Sequence, residues 1–208
     1  MTLDLRRAAQ RDVACAPRLV CADGHIFPLY LERWLGDPSP EEAALLGRVK
    51  APVLDIGCGP GRHVVALARR GVLALGIDIA ESAVHLAQRR GALVIQRCVF
   101  ERVPGAGRWG SALLLAGNVG IGGDPIALLR RTAELLGPRG RALVELEPPG
   151  TTSRTLRARI ENGAAASAWF PWSVVGAGNA AAMARGAGFE VEELWDEEGR
   201  WFASLAAA

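Results

Sequence analysis

The sequence predicts an α/β fold, a doubly wound and mostly parallel sheet closed by an antiparallel hairpin at the end of the chain. Three observations predict it. From Pro52 onward, short apolar runs alternate with amphipathic segments, the pattern of successive β-α-β units. A glycine-rich turn joins the first apolar run to the first helix, and an acid closes the second run. Late in the chain, two strand-like runs flank Asp196-Glu197-Glu198-Gly199, which reads as a hairpin.

Taken in order, Val53-Leu54-Asp55-Ile56 is the first strand, and Arg62 to Arg70 the helix after the turn. Val72 to Ile77 is the second strand, and Glu81 to Arg90 a helix that Gly91 ends. Leu93 to Arg97 and Ser111 to Ala116 are the third and fourth strands. Asp124-Pro125 supplies an N-cap and a first-turn proline for a helix that runs to Leu136 and stops at Gly137-Pro138. Arg141 to Glu147 is the fifth strand; Phe189 to Trp195 and Arg200 to Leu205 complete the set. Residues 1–51 read as an N-terminal helical lid segment, with helices around Tyr30–Leu35 and Pro40–Arg48. Residues 52–147 form the core, 148–175 a long connection on the substrate side, and 176–208 a terminal helix and hairpin.

The length of 208 residues suits a single domain, and 50% hydrophobic residues exclude a disordered chain. Of 24 basic residues only Lys50 is a lysine, yet 22 acids leave a net charge of +2. An arginine excess so nearly cancelled argues against nucleic-acid binding. Cys15, Cys21, Cys58 and Cys98 show no metal spacing, and no metal is expected. Reduced thiols and a start without an apolar leader suit the cytoplasm. Asn162 to Ala184 carries no charge, but its Ala, Gly and polar content and Pro171 mark a loop entering a buried helix, not a membrane span.

Asp55-Ile56-Gly57-Cys58-Gly59-Pro60-Gly61 lies between strand and helix, where residues without Cβ atoms let a ligand approach main-chain N–H groups. Asp78, 17 residues after Gly61, ends the second strand, where an acid can accept from both hydroxyls of a ribose. Together they point to an adenosine-containing cofactor. In the dinucleotide pattern the third glycine would stand at Arg62, which disfavours a nicotinamide-dependent oxidoreductase. An acid at Asp55 suits a cationic ligand, and S-adenosylmethionine is one.

On these residues the chain resembles the class I S-adenosylmethionine-dependent methyltransferases. Val53 through Gly61 is similar to their first motif, Gly76-Ile77-Asp78 to their ribose motif, and Leu135 through Gly140 to the turn before their fifth strand. With Gly117 through Asp124 the chain looks like a small bacterial subgroup. The resemblance implies a Rossmann-like, seven-stranded sheet whose last strand is inserted antiparallel. It also implies S-adenosylmethionine as cofactor and S-adenosylhomocysteine as product. Gly57, Cys58, Gly59 and Gly61 would line the methionine moiety, Asp55 would organise its amino group, and Asp78 would hold the ribose. Ile79 would be a further cofactor contact, and Val99 and Phe100 of the Cys98–Pro104 loop would border the adenine, with Val99 standing where the family often has an acid. Ser111 replaces a common aspartate, and Asn118 would touch the methionine part or the substrate.

Other residues are read from position. Arg33 is placed to pair with the cofactor carboxylate. Tyr30, Trp34, Trp169, Phe170 and Trp172 are candidate substrate walls, against core filling. Arg154, with Arg157 and Arg159, is a clamp for an acidic substrate or an exposed helix face. His25, His63 and Glu147 are the candidate bases, although His63 at a helix start also suits packing against the sheet. The function expected is methyl transfer to a small molecule of specialised metabolism, by a monomer or homodimer without nucleic-acid or membrane partners. A non-methylating protein on this scaffold, a cyclase or a partner subunit, is the competing expectation.

Overall fold

The computed structural model describes residues 17–207; Cys15 and the expected absence of an apolar leader fall outside them. Strands β1 (Arg18–Cys21) and β2 (Ile26–Pro28) precede helices α1 (Leu31–Leu35) and α2 (Pro40–Leu46). The alternation then runs β3 (Val53–Ile56), α3 (Arg62–Arg69), β4 (Ala74–Asp78), α4 (Glu81–Arg89), β5 (Val94–Gln96), β6 (Trp109–Leu114), α5 (Pro125–Leu135) and β7 (Leu136–Leu146). After it come β8 (Arg154–Asn162), β9 (Ala165–Ala166) and β10 (Phe170–Val174). Helix α6 (Ala180–Gly186) leads into β11 (Phe189–Glu197) and β12 (Arg200–Ala207).

The larger sheet has seven strands in the order β11-β12-β7-β6-β3-β4-β5. From β7 to β5 the strands are parallel, and β12 is antiparallel to both β7 and β11. Every residue of β3 is buried, as a strand covered by helices on both faces must be. Alternation sends Leu54 and Ile56 to a core shared with Leu128 and Leu129 of α5 and Met183 of α6. Val53 goes to the opposite face, with Leu45, Leu46, Val64, Leu67 and Val84 of α2, α3 and α4. Asp55 shares that second face, which decides its neighbours.

Local signals set the helix starts. The Asp124 carboxylate accepts from the Ala127 N–H at 2.9 Å, with Pro125 in the first turn of α5. In α2 a reciprocal capping box joins Ser39 and Glu42.

The second sheet corrects three expectations. It has five strands, β10-β8-β1-β2 with β9 on β8. Residues 148–175 are therefore not a loop, the N-terminal segment is not helical alone, and Arg154–Arg159 is not a helix face. Leu156, Ala158 and Ile160 alternate with Thr155, Arg157 and Arg159, a period of two that pairs β8 with β1 and β10. The uncharged stretch from Asn162 likewise holds β9 and β10 before α6. Cross-strand partners gather Leu19, Cys21, Leu156, Ala158, Ile160, Phe170 and Trp172 into an apolar cluster. The Ser173 and Thr155 hydroxyls both donate to the Gly123 carbonyl, at 2.8 and 2.9 Å, and bolt this sheet beside the loop after β6. Among the described residues no helix is long and apolar enough to cross a membrane.

Candidate functional site

At the carboxyl ends of β3, β4 and β6 the predicted glycine turn meets Asp78 and Asn118. Gly57 has φ +72°, and an added Cβ would stand 2.7 Å from the Asn118 amide nitrogen. That nitrogen donates to the carbonyls of Ile56 and Gly57 at 2.8 and 2.9 Å, so Asn118 braces the turn. Gly59 also has a positive φ, +53°, but a Cβ there would meet nothing within 4 Å. The turn is thus tight on its protein side and open at Gly59, where a ligand can reach the backbone.

Asp78 spans the opening. One carboxylate oxygen accepts from the Gly59 N–H and the other from the Ala80 N–H, both at 2.8 Å. Burial pushes the carboxyl up from its ordinary value against the pull of those amides. Each oxygen keeps a lone pair for a ribose hydroxyl. Ile79 (72% exposed) and Phe100 (46%) are large apolar side chains left open, as an adenine border requires. The Phe100 ring sits over Gly122, where a Cβ would be 3.0 Å away. These features fit S-adenosylmethionine.

Several expected site residues are placed otherwise. Val99 is 4% exposed in the core, so its side chain serves packing, while its carbonyl accepts from Arg131. Cys58 is buried against Gly76, and burial foremost pushes its thiol far up, which makes it a packing group. Trp34 packs with Leu31 and Ala83 between α1 and α4 rather than lining a cavity. Trp169 lies under the Arg159 guanidinium, 4.8 Å from its ring centroid, apart from the Phe170 and Trp172 face. Tyr30 caps α1 and is exposed. Phe170 and Trp172 meet edge to face at 6.1 Å, and Trp172 reaches the strand-end Gly117 and Gly120.

The arginines do not converge. Arg154 faces away from Arg157 and Arg159 by strand alternation, and binds Asp23 and the Thr152 carbonyl. Arg33 binds Glu42 through one guanidinium nitrogen at 2.9 Å. Among the proposed bases, His25 lies exposed in the β1–β2 turn, 3.2 Å from Asp23. His63 is buried, with Asp55 and Glu42 beside its ring nitrogens. Glu147 follows β7 half-buried, and burial together with the charge of Glu145 pushes its carboxyl up.

Beneath the turn lies a charge cluster that composition and spacing did not expose. Glu42, fully buried, receives Arg33, Arg62 and Arg200 on one oxygen at 2.8–2.9 Å. Burial alone would push Glu42 up, but His63, Arg62 and Arg200 hold it well below the usual carboxylate range. Arg200 also binds Glu145, whose other oxygen accepts from the Ala116 N–H. The Ser39-Pro40-Glu41-Glu42 capping signature was the one local sign of Glu42; nothing near Arg200 announced its role.

Residues 53–140 match a sequence-family model described as a methyltransferase domain. An uncharacterised protein of Mycobacterium tuberculosis (strain H37Rv) is 37% identical over 100 residues, 48% of this chain and 33% of the relative. The match thus spans about a third of the length of that curated relative. A solved S-adenosylmethionine-dependent methyltransferase of Bacteroides fragilis, in complex with S-adenosylhomocysteine, superposes with TM-score 0.80 at 22% identity, covering 99% of this chain and 92% of the other. The 1,6-didemethyltoxoflavin-N1-methyltransferase of Burkholderia thailandensis superposes with TM-score 0.58 at 23% identity, covering 80% and 76%. The strand order, the glycine turn and the match to a methyltransferase domain over residues 53–140 agree: this stretch is similar to that family, and the chain shares its fold with solved S-adenosylmethionine-dependent methyltransferases.

Proposed function

We propose that this chain transfers the methyl group of S-adenosylmethionine to a small-molecule acceptor of specialised metabolism, in the cytoplasm and as one domain. The observation that carries the reading is the open turn at Gly59 with Asp78 set across it. When bound there, the cofactor supplies a methyl carbon already activated by its sulfonium. The protein's part is then positioning and exclusion of water.

Asp55, Gly57 and Gly59 hold the amino-acid end, Asp78 the ribose, and Ile79 and Phe100 the base. The second sheet supplies the acceptor wall: Phe170 and Trp172 present an apolar face beside Gly117, fixed by the Ser173 and Thr155 bonds. That rigid wall suits a compact, largely apolar acceptor, and the Burkholderia methyltransferase likewise binds a small molecule, 1,6-didemethyltoxoflavin. Glu147, with its raised carboxyl at the end of β7, is the group placed to take a proton from an acceptor that starts protonated. A nicotinamide cofactor is disfavoured because Arg62, at the third glycine's place, is buried and bound to Glu42.

Thermal denaturation with S-adenosylhomocysteine, NAD and NADP tests the reading. A stabilising shift with the first alone is expected, followed by S-adenosylhomocysteine release on incubation with an acceptor panel. A shift with a nicotinamide cofactor instead overturns the reading; binding without turnover on any acceptor favours a cyclase or partner subunit.

A further inference from the structure

His63 opens α3 directly behind the glycine turn, and its side chain is 7% exposed. Its Nδ1 lies 3.5 Å from Asp55 Oδ2, and its Nε2 lies 3.7 Å from Glu42 Oε2. Both ring nitrogens therefore face carboxylate oxygens, one at the end of β3 and one on α2. A neutral imidazole carries a single N–H, so either tautomer would turn a lone pair toward one of the two acids. Only the imidazolium presents N–H to both. Asp55 Oδ2 and His63 Nε2 are buried without a hydrogen bond among the described residues, so charge holds the trio together.

The surroundings keep Glu42 ionised. Three guanidiniums converge on the other Glu42 oxygen: Arg33 from α1, Arg62 from α3 and Arg200 from β12. Glu145 of β7 faces the cluster through Arg200. Burial and the charge of Arg62 oppose a proton on His63, but Asp55 and Glu42 outweigh them and raise its pKa above the ordinary value.

We infer that His63 is a positioning residue for cofactor binding: as an imidazolium it ties Asp55 of the glycine turn to Glu42 of the N-terminal segment. The inference rests on reading Asp55–Gly61 as the S-adenosylmethionine cradle. Loss of the ring proton leaves one acid facing a lone pair, and Asp55 loses its fixed orientation toward the cofactor's amino end. Cofactor affinity then follows the charge of a side chain that never touches the cofactor.

The test combines nitrogen NMR of the His63 ring with calorimetric titration of S-adenosylhomocysteine, from about pH 6 to about pH 9. The ring is expected to stay imidazolium above the ordinary histidine pKa of about 6.5, and affinity to fall roughly tenfold as it titrates. Glu42→Gln should move both curves to lower pH together, a joint shift that a merely structural histidine would not produce. If that variant does not fold, coincidence of the two wild-type curves decides. A ring neutral near pH 7, or an affinity flat across its titration, overturns the inference. If the wild type binds no S-adenosylhomocysteine at any pH, the cofactor reading itself fails, and with it the inference; the NMR arm then still reports the charge of His63 separately.

Discussion

The carboxylate of Asp78 accepts the N–H of Gly59 across the mouth of the glycine turn, at 2.8 Å. The acid that ends β4 is thereby fixed on the turn that ends β3, and the two strands present their ligand groups as one surface. Parallel pairing of Asp55 with Gly76 and Ile56 with Ile77 sets this register, so that the turn and the acid arrive at the same height.

Replacement of Asp78 by alanine removes two backbone acceptor bonds and both proposed ribose contacts. Hydrogen bonds to charged groups contribute about 1.5–3 kcal/mol each. Affinity for S-adenosylhomocysteine is expected to fall roughly tenfold or more, read by calorimetry. Unchanged affinity would place the ribose elsewhere.

Gly57 and Gly59 separate folding from binding. In Gly57→Ala, left-handed backbone strain of about 1–2 kcal/mol adds to the collision with Asn118, and the loss should appear in urea denaturation of the free protein. Gly59→Ala carries the strain without a collision, because its Cβ enters open space. That methyl group occupies the ligand's approach, so cofactor affinity should fall by more than the change in stability accounts for. Equal effects of the two variants on both measurements would contradict this division.

Glu42 gives the stability of the fold a definite acid dependence. Its folded pKa lies below its ordinary value of 4.5, so its contribution is present above about pH 4.5 and is lost as pH falls toward the folded value. Wild-type unfolding free energy should decline through that window, and Glu42→Gln should flatten the decline. Glu42→Ala leaves buried Arg62 without its carboxylate and is expected to cost about 3–5 kcal/mol near neutral pH. Chemical denaturation at several pH values measures both.

The arrangement of the glycine turn and Asp78 was legible because its signals are local. Asp55, Gly57, Gly59 and Gly61 lie within one turn, Asp78 lies one β-α unit further on, and the alternation of β3 and β4 buries them predictably. Asn118 was legible as a position at the end of β6, but not as the amide that braces Gly57. The side-chain partners of Val99, Trp34 and Arg33 were not legible along the chain: the core takes Val99, Trp34 packs with Ala83, and Arg33 pairs with Glu42.

By itself the sequence determined the parallel sheet, its antiparallel end and the glycine turn, because hydrophobic period and glycine spacing act over a few residues. Only the tertiary structure decided that β1 and β2 join β8 and β10 in a second sheet, since a three- or four-residue strand carries too little pattern to name a partner far along the chain. It alone also decided that Glu42, His63, Asp55 and Arg200 meet. Their charges are ordinary one by one, and become a unit only where α2, α3, β3 and β12 exclude water together.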